Sequence, residues 1–446
     1  MTNIFNIMSI FIYLLFSLIF FRNNRYWPFF FFFYVAQLWA IISCYYIEQG
    51  IFITEQERYS FETGATYRLV IENLVFFSSA LILLKFLPKP KVFSEKLTLT
   101  PKASSMYDLL LYFLFTVSIL FFVDTLITKI KYNDAFNRFN YYDYSILIKY
   151  PVINVFLYHI SLTSFLLGVL FLINKNSKKK LKKKIIIFIS LILILLGNIF
   201  QGSKFSAIYL NLLIFLIPFL TTVKIGFSKK TIKYIFSVFI GISIFIGVVF
   251  NLAVKEYTQT LGKDEAVSFV LYRVLGLQGH VWWGTDYLSQ NMNSLDKSSH
   301  LMEEIKVITL KSDGRYESGL EALMLLVSPR LGPIFIDNNI NFTMGFPAIL
   351  NILFDPFVTL LVLMILGIFF GIFVYLFNLA IQSYNILIII LFGYIYIYGI
   401  MQFFTMGKTV KLFNLRMYIA FLMLGYFLFM SILIKELYRN KRLKII

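Results

Sequence analysis

His280 is one of only three histidines in the 446-residue chain, and its company is unusual for so apolar a sequence. It lies seven residues after Arg273 in VLYRVLGLQGHVWWGTDYL (270–288), so a continuous helix would place both on one face with Leu277 between. A guanidinium suits bidentate phosphate binding, and an imidazole suits proton transfer near neutral pH. Trp282 and Trp283 follow at once. Paired indoles either stack on sugar faces or sit in an interfacial aromatic belt. Gly276, Gly279 and Gly284 argue against an unbroken helix here.

A second group runs through GRYESGLEALMLLVSPRLGP (314–333) and NFTMGFPAIL (341–350). Glu317 and Glu321 are four apart, and on a helix would be either a carboxylate pair for acid/base work or a solvated face. Arg330, between Pro329 and Gly332, is a loop cation and a phosphate candidate. Asn341-Phe342-Thr343 fits a glycosylation sequon. A third group is the turn Gly202-Ser203-Lys204, flanked by apolar runs. Gly202 permits a tight turn, Ser203 can cap the next helix, and Lys204 stands at its mouth. That is either an anion site or a lysine snorkelling to an interface. The segment KIKYNDAFNRFNYYDYS (129–145) mixes Arg138 and Tyr141 with Asn, Asp and Phe, a composition suited to carbohydrate or to any wet interface. His159 falls in an apolar run and reads as a packing residue.

The elements that must hold these groups are membrane helices. Hydrophobic residues make up 59% of the chain and charged residues 14%, and the mean hydropathy is +0.77. Runs near the twenty residues a helix needs to cross hydrocarbon recur from end to end, without the alternation of a membrane barrel. The expected fold is all-α and polytopic, one membrane domain over 1–446. It has eleven spans at roughly 4–21, 27–47, 67–87, 106–125, 151–173, 185–200, 205–222, 234–254, 356–380, 385–404 and 417–435. The first run lacks the basic leader and small-residue site of a signal peptide. Cys44, the single cysteine, excludes an internal disulfide.

Alternate loops sort by charge. About 23 of the 41 basic residues fall in one set, including KNSKKKLKKK in the 174–184 loop. By the positive-inside rule these loops are cytoplasmic, which puts the N-terminus outside and the C-terminus inside. The net charge of +18 is therefore mostly a topology signal, and the lysine run reads as a headgroup anchor rather than a nucleic-acid site. The outer side holds segments 48–66 and 126–150 and a loop of about ninety residues at 255–347. Apolar stretches at 266–283 and 319–327 give that loop surface-lying or re-entrant helices. No P-loop, CxxC or HExxH pattern is present, so nucleotide and metal cofactors find no support.

With these residues in place the chain resembles the Wzy-type oligosaccharide repeat-unit polymerases of O-antigen and capsule synthesis. The likeness rests on the plan of many helices with a large outer loop in the second half. It rests also on the turn Gly202-Ser203-Lys204, on the block from Arg273 to Trp283, and on the Glu321 and FTMGFP segments. The resemblance implies a substrate: an undecaprenyl-pyrophosphate-linked oligosaccharide on the outer leaflet of the cell inner membrane, serving as donor and acceptor. It implies transfer without metal or cofactor, and a chain-length regulator as a partner. Lys204, Arg273, Arg330 and Arg416 would hold the pyrophosphate, His280 or Glu321 would act as base, and Trp282, Trp283, Tyr141 and Arg138 would bind sugar. An O-antigen ligase or another lipid-linked glycosyltransferase shares this chemistry. A lipid-linked oligosaccharide flippase shares the basic cavities but has short loops.

Overall fold

A computed structural model describes residues 2–23, 26–88, 101–131, 159–174, 181–200, 205–221, 250–251, 254–255, 257–258, 262–291, 296–312, 314, 316–338, 341–383 and 385–443. The fold is helical, as the composition requires. Its elements are α1 (Thr2–Asn23), α2 (Trp27–Ile47), a hairpin of β1 (Phe52–Ile53) and β2 (Arg58–Tyr59), α3 (Ala65–Phe86) and α4 (Pro101–Lys131). Then come α5 (Ile160–Asn174), α6 (Leu181–Phe200), α7 (Phe205–Leu220), α8 (Lys263–Leu275), α9 (His280–Asn291), α10 (Lys297–Ile308), α11 (Gly319–Val327), α12 (Leu331–Asp337) and α13 (Ala348–Leu353). The last are α14 (Pro356–Ser383), α15 (Ile386–Met406, with a π-helical turn at Tyr396–Ile400), α16 (Thr409–Leu412) and α17 (Leu415–Leu443).

Eight helical stretches among the described residues are long and apolar enough to cross a membrane. They lie in α1, α2, α3, α4, α6, α14, α15 and the α16–α17 stretch Thr409–Met430. The shorter apolar helices α5 and α7 coincide with two further expected spans. Phe357, Leu361, Ile365 and Ile372 of α14, and Leu415, Ile419, Leu422 and Phe429 of α17, turn their apolar side chains outward. The protein is membrane-embedded, and these faces suit lipid. The expected span at 234–254 lies largely outside the described residues.

The chain divides into two compact units. The first comprises residues 1–87, 224–374 and 398–418. Its packing is aromatic: Tyr13 stacks on Tyr34 at 4.6 Å, and Phe370 meets Phe33, Phe76 and Phe404 at centroid distances of 5.0, 5.9 and 5.2 Å. Gly367 and Gly371 form a small-xxx-small face on α14. A Cβ at Gly367 would lie 2.3 Å from the Phe76 carbonyl oxygen, so only glycine lets α14 approach α3 this closely.

The second unit comprises residues 88–223, 375–397 and 419–446. Gly168 brings α5 onto the α7 backbone, where a Cβ would fall 2.0 Å from the Phe215 oxygen. Phe377 stacks on Phe392 at 5.3 Å, and His159 rests against the Tyr394 ring at 5.9 Å, a packing contact as expected. Lys183 of α6 pairs with Asp108 of α4.

Two local expectations are corrected. The stretch 266–283 is not one helix: α8 ends at Leu275, residues 276–279 turn, and α9 starts at His280. α4 runs on to Lys131, so the first residues of the expected 126–150 loop are helical.

Candidate functional site

Two of the segments expected on the outer side of the membrane, 48–66 and the described part of 255–347, meet the 405–416 connection in the first unit. Glu48 stands at the C-terminal end of α2. Its carboxylate accepts from the backbone N–H groups of Thr63, Gly64, Ala65 and Thr66, so it caps the N-terminus of α3. Asn6 Nδ2 donates at 2.9 Å to Oε2, the oxygen that also accepts the Thr66 N–H. Four residues into α3, Arg68 reaches Asp286 of α9 in a bidentate pair with both contacts at 2.6 Å. Gln290 donates to the same carboxylate at 2.8 Å. A fork-on-carboxylate geometry fixes both partners in plane. This pair ties the start of α3 to α9.

His280 opens α9 and is wholly buried. Its Nδ1 lies 2.7 Å from the Leu277 carbonyl oxygen. A carbonyl can only accept, so Nδ1 carries the hydrogen and Nε2 keeps the lone pair. Nε2 has no hydrogen-bond partner among the described residues, and the Phe342 ring stands edge-on at 4.7 Å. Burial pushes the imidazole pKa down, against the pull of Glu55. The result is a neutral ring in the tautomer of a general base, closed off by Phe342.

The turn at Thr54–Gln56 organises what surrounds it. Gln56 Nε2 donates to the His280 carbonyl at 2.6 Å, the Tyr272 hydroxyl donates to Glu55, and Arg330 faces Glu57 at 3.9 Å across largely open surface. Glu57 has a left-handed backbone (φ 50°), a conformation that a non-glycine residue holds only when its surroundings dictate it. Arg273, beside Tyr272, lays its guanidinium over Phe269 at 5.5 Å and has no ion pair among the described residues. The turn at 276–279 puts Arg273 and His280 on different helices, so the shared face expected from their spacing does not form.

Trp282 and Trp283 are buried, and each indole N–H donates to a backbone carbonyl, of Ala65 at 2.8 Å and of Phe61 at 3.1 Å. Trp283 stacks on Tyr287. Neither ring offers an open face to a sugar or to a lipid interface, which corrects both readings of the pair; they pin α9 to the start of α3.

Glu321 lies in the first turn of α11, partly exposed, and accepts the Tyr316 N–H at 3.1 Å. Glu317 precedes the helix, so the expected carboxylate pair on one helical face is absent. Opposite α11 the chain passes through Gly407 and Lys408. Here three glycines meet: a Cβ on Gly319 (φ +57°) would lie 2.9 Å from the Gly407 oxygen, and one on Gly345 would lie 2.4 Å from the Met406 oxygen. Gly407 itself is left-handed at φ +70°. Backbone therefore lies on backbone, which sets the Lys408 backbone near the start of α11. Burial and the nearby Lys411 push the Lys408 amine down to about 8, while Glu321 pulls it up. Glu304 of α10 completes the wall by accepting the Gly319 N–H. On the far side of α16 an open depression of about 460 Å³ is lined by Lys311, Ser312 and Asn414 over Val307, Leu310, Val410 and Phe413.

Arg416 is exposed at the start of α17. Lys204, Arg138 and Tyr141 lie outside the described residues. Among the described residues no three His, Cys, Asp or Glu side chains group as metal ligands. Sequence reasoning passed over Glu48, Arg68, Asp286 and Lys408. The first three are paired across up to 218 positions, which no local pattern records. Lys408 carried a signal, a Gly-Lys-Thr turn closing an apolar run.

No curated protein and no solved structure matches this chain. Residues 313–421 match the model of a family of unknown function, DUF6418, a stretch that contains Tyr316, Glu321, all three meeting glycines, Lys408 and Arg416.

Proposed function

We propose that this protein polymerises undecaprenyl-pyrophosphate-linked oligosaccharide repeat units at the periplasmic face of the inner membrane. In this reaction a sugar hydroxyl of one unit attacks the anomeric carbon of another. The bond from that carbon to the pyrophosphate breaks, the pyrophosphate leaves with the electron pair, and the hydroxyl proton passes to a base. The chemistry asks for a base, for cations at the headgroup plane, and for a rigid wall beside the membrane.

What supports this reading, together with the resemblance to Wzy-type polymerases, is one juxtaposition. The partly exposed carboxylate of Glu321 and the ammonium of Lys408, which has no ion pair among the described residues, lie near enough to act on each other electrostatically where a long interspan segment closes onto the end of a span. Glu321 is the base open to a substrate, and His280 is a second base held in reserve behind Phe342. Arg330 and Arg416 are exposed cations of the same unit.

The test is the glycan ladder of a deletion strain complemented with variants. Loss of a polymerase leaves one repeat unit on its anchor, loss of a ligase leaves the polymer untransferred, and loss of a flippase strands units inside. Glu321→Gln at normal protein level is expected to cost about 10²–10⁴ in rate, as removal of a general base does, and to leave single repeat units. A wild-type ladder from Glu321→Gln removes this carboxylate from the chemistry.

A further inference from the structure

We propose that Lys408 binds a phosphoryl group, and that the convergence of Gly319, Gly345 and Gly407 exists to hold its ammonium at that position. The inference rests on the polymerase reading only for the identity of the lipid that carries the phosphate.

Three observations carry it. The backbone at 405–409 is fixed from two sides. Gly345 packs against Met406 and Gly407, and the Phe346 N–H donates to the Thr405 oxygen at 3.4 Å. Gly319 packs against Gly407 and Thr409. A side chain at Gly319 or Gly345 would press on the backbone at Met406, Gly407 and Thr409, on either side of Lys408, so the packing sets the place of this residue.

The second observation is the state of that residue. Lys408 is partly buried, yet its amine has no hydrogen bond and no ion pair among the described residues. Partly buried ammonium groups normally find a carboxylate or carbonyl, because an unpaired charge away from water is costly. Glu321 is close enough to act on Lys408 electrostatically but gives an oxygen to the Tyr316 N–H instead. Lys411 follows one turn on and adds a second positive charge. Two neighbouring ammoniums are stabilised together by an anion. The other charged group in the wall, Glu304 of α10, is turned to the Gly319 N–H.

The third is composition. The loop 341–347 that packs on Gly407 carries no acid, so it adds no carboxylate to Glu321 and Glu304 around the position.

The experiment uses the full-length protein purified in nanodiscs, with inorganic pyrophosphate and undecaprenyl pyrophosphate as probes. Lys408→Met is expected to weaken binding about ten- to a hundredfold, the usual effect of one lost charged hydrogen bond. Lys263→Met, at an exposed site on α8, is expected to change nothing. An effect on both probes identifies the phosphoryl group itself as what Lys408 holds, and an effect on the lipid probe alone restricts the site to headgroups. Equal affinities of wild type and Lys408→Met for both probes, or no binding of either probe by the wild type, overturns the proposal.

A second measurement does not depend on how Lys408→Met folds. Wild-type affinity is expected to fall as pH rises through about 8, where the amine loses its proton. Lys408→Arg should escape this loss, and the comparison between them cancels the ligand's own titration. Parallel pH profiles overturn the proposal. If Lys408-dependent binding is found while the deletion strain keeps a wild-type ladder, the phosphoryl site stands and the polymerase reading falls.

Discussion

At the residue scale the chemistry turns on which atoms are free. The Leu277 carbonyl fixes the tautomer of His280, leaving Nε2 with no hydrogen-bond partner among the described residues and the Phe342 ring edge-on to the imidazole. That arrangement has a pH signature. Burial lowers the folded-state pKa below the ordinary value of about 6.5, so the unfolded chain takes up the proton first as acid is added. The stability due to a neutral buried His280 is thus complete above about pH 6.5 and is lost as pH falls below it. Melting temperature measured between pH 7.5 and 5.5 is expected to drop more steeply for wild type than for His280→Asn, which keeps a donor near Leu277. Equal slopes would mean that the ring is already charged, or already hydrated, in the folded protein. The sequence made His280, Arg273 and Glu321 legible because rare polar types stand out in an apolar chain. It could not reveal that Trp282 and Trp283 are core residues, since an indole that packs and one that stacks on sugar read alike. Lys408 was passed over because one lysine after one glycine is common, and its meaning depends on Gly319 and Gly345, which lie 89 and 63 positions earlier.

At the element scale the outer segments are tied together by polar contacts at the start of α3 rather than by apolar area alone. Glu48 caps that helix while Arg68 and Asp286 clamp α9 to it. Asp286 is nearly buried and Arg68 about a quarter exposed, at 6% and 28%. Removing one partner of a buried pair leaves the other uncompensated, and with allowance for the exposure of Arg68 the loss is roughly 2–4 kcal/mol. Arg68→Ala and Asp286→Ala should each lower the melting temperature clearly. The double variant should be less destabilised than the sum of the two, because it strands no charge. Additive losses would show that the two groups act separately. Helix existence was legible at this scale from run length alone, as α14 and α15 show. Helix interruption was only half legible: three glycines warned of a break near 276–284, but the turn falls where Gly279 packs on the Cys44 backbone, with room for no Cβ. That is a tertiary reason.

At the scale of the whole molecule the contacts constrain topology by parity. Segment 48–66 touches α8 and α9 through Glu55, Gln56 and Phe61, and loop 341–347 touches the 405–409 turn, so all these segments share one side of the membrane. The chain must therefore cross an even number of times between residues 66 and 262, and again between 347 and 405. Two crossings, α14 and α15, satisfy the second interval. In the first, α3, α4 and α6 are long apolar helices and α5 and α7 are shorter ones. The six spans expected there from hydropathy make an even number, and loop charge predicts that the 174–184 loop lies opposite the outer segments. Reporter fusions at Asn176 and Ser294 are accordingly expected to report cytoplasm and periplasm. A fusion within 408–414 should agree with Ser294, because Gly345 and Gly407 pack directly on one another. If Asn176 and Ser294 reported the same compartment, the crossings between them would be even in number rather than the expected three. The eleven-span arrangement would then fail, and the assignment of Glu321 and Lys408 to the periplasmic face would fail with it.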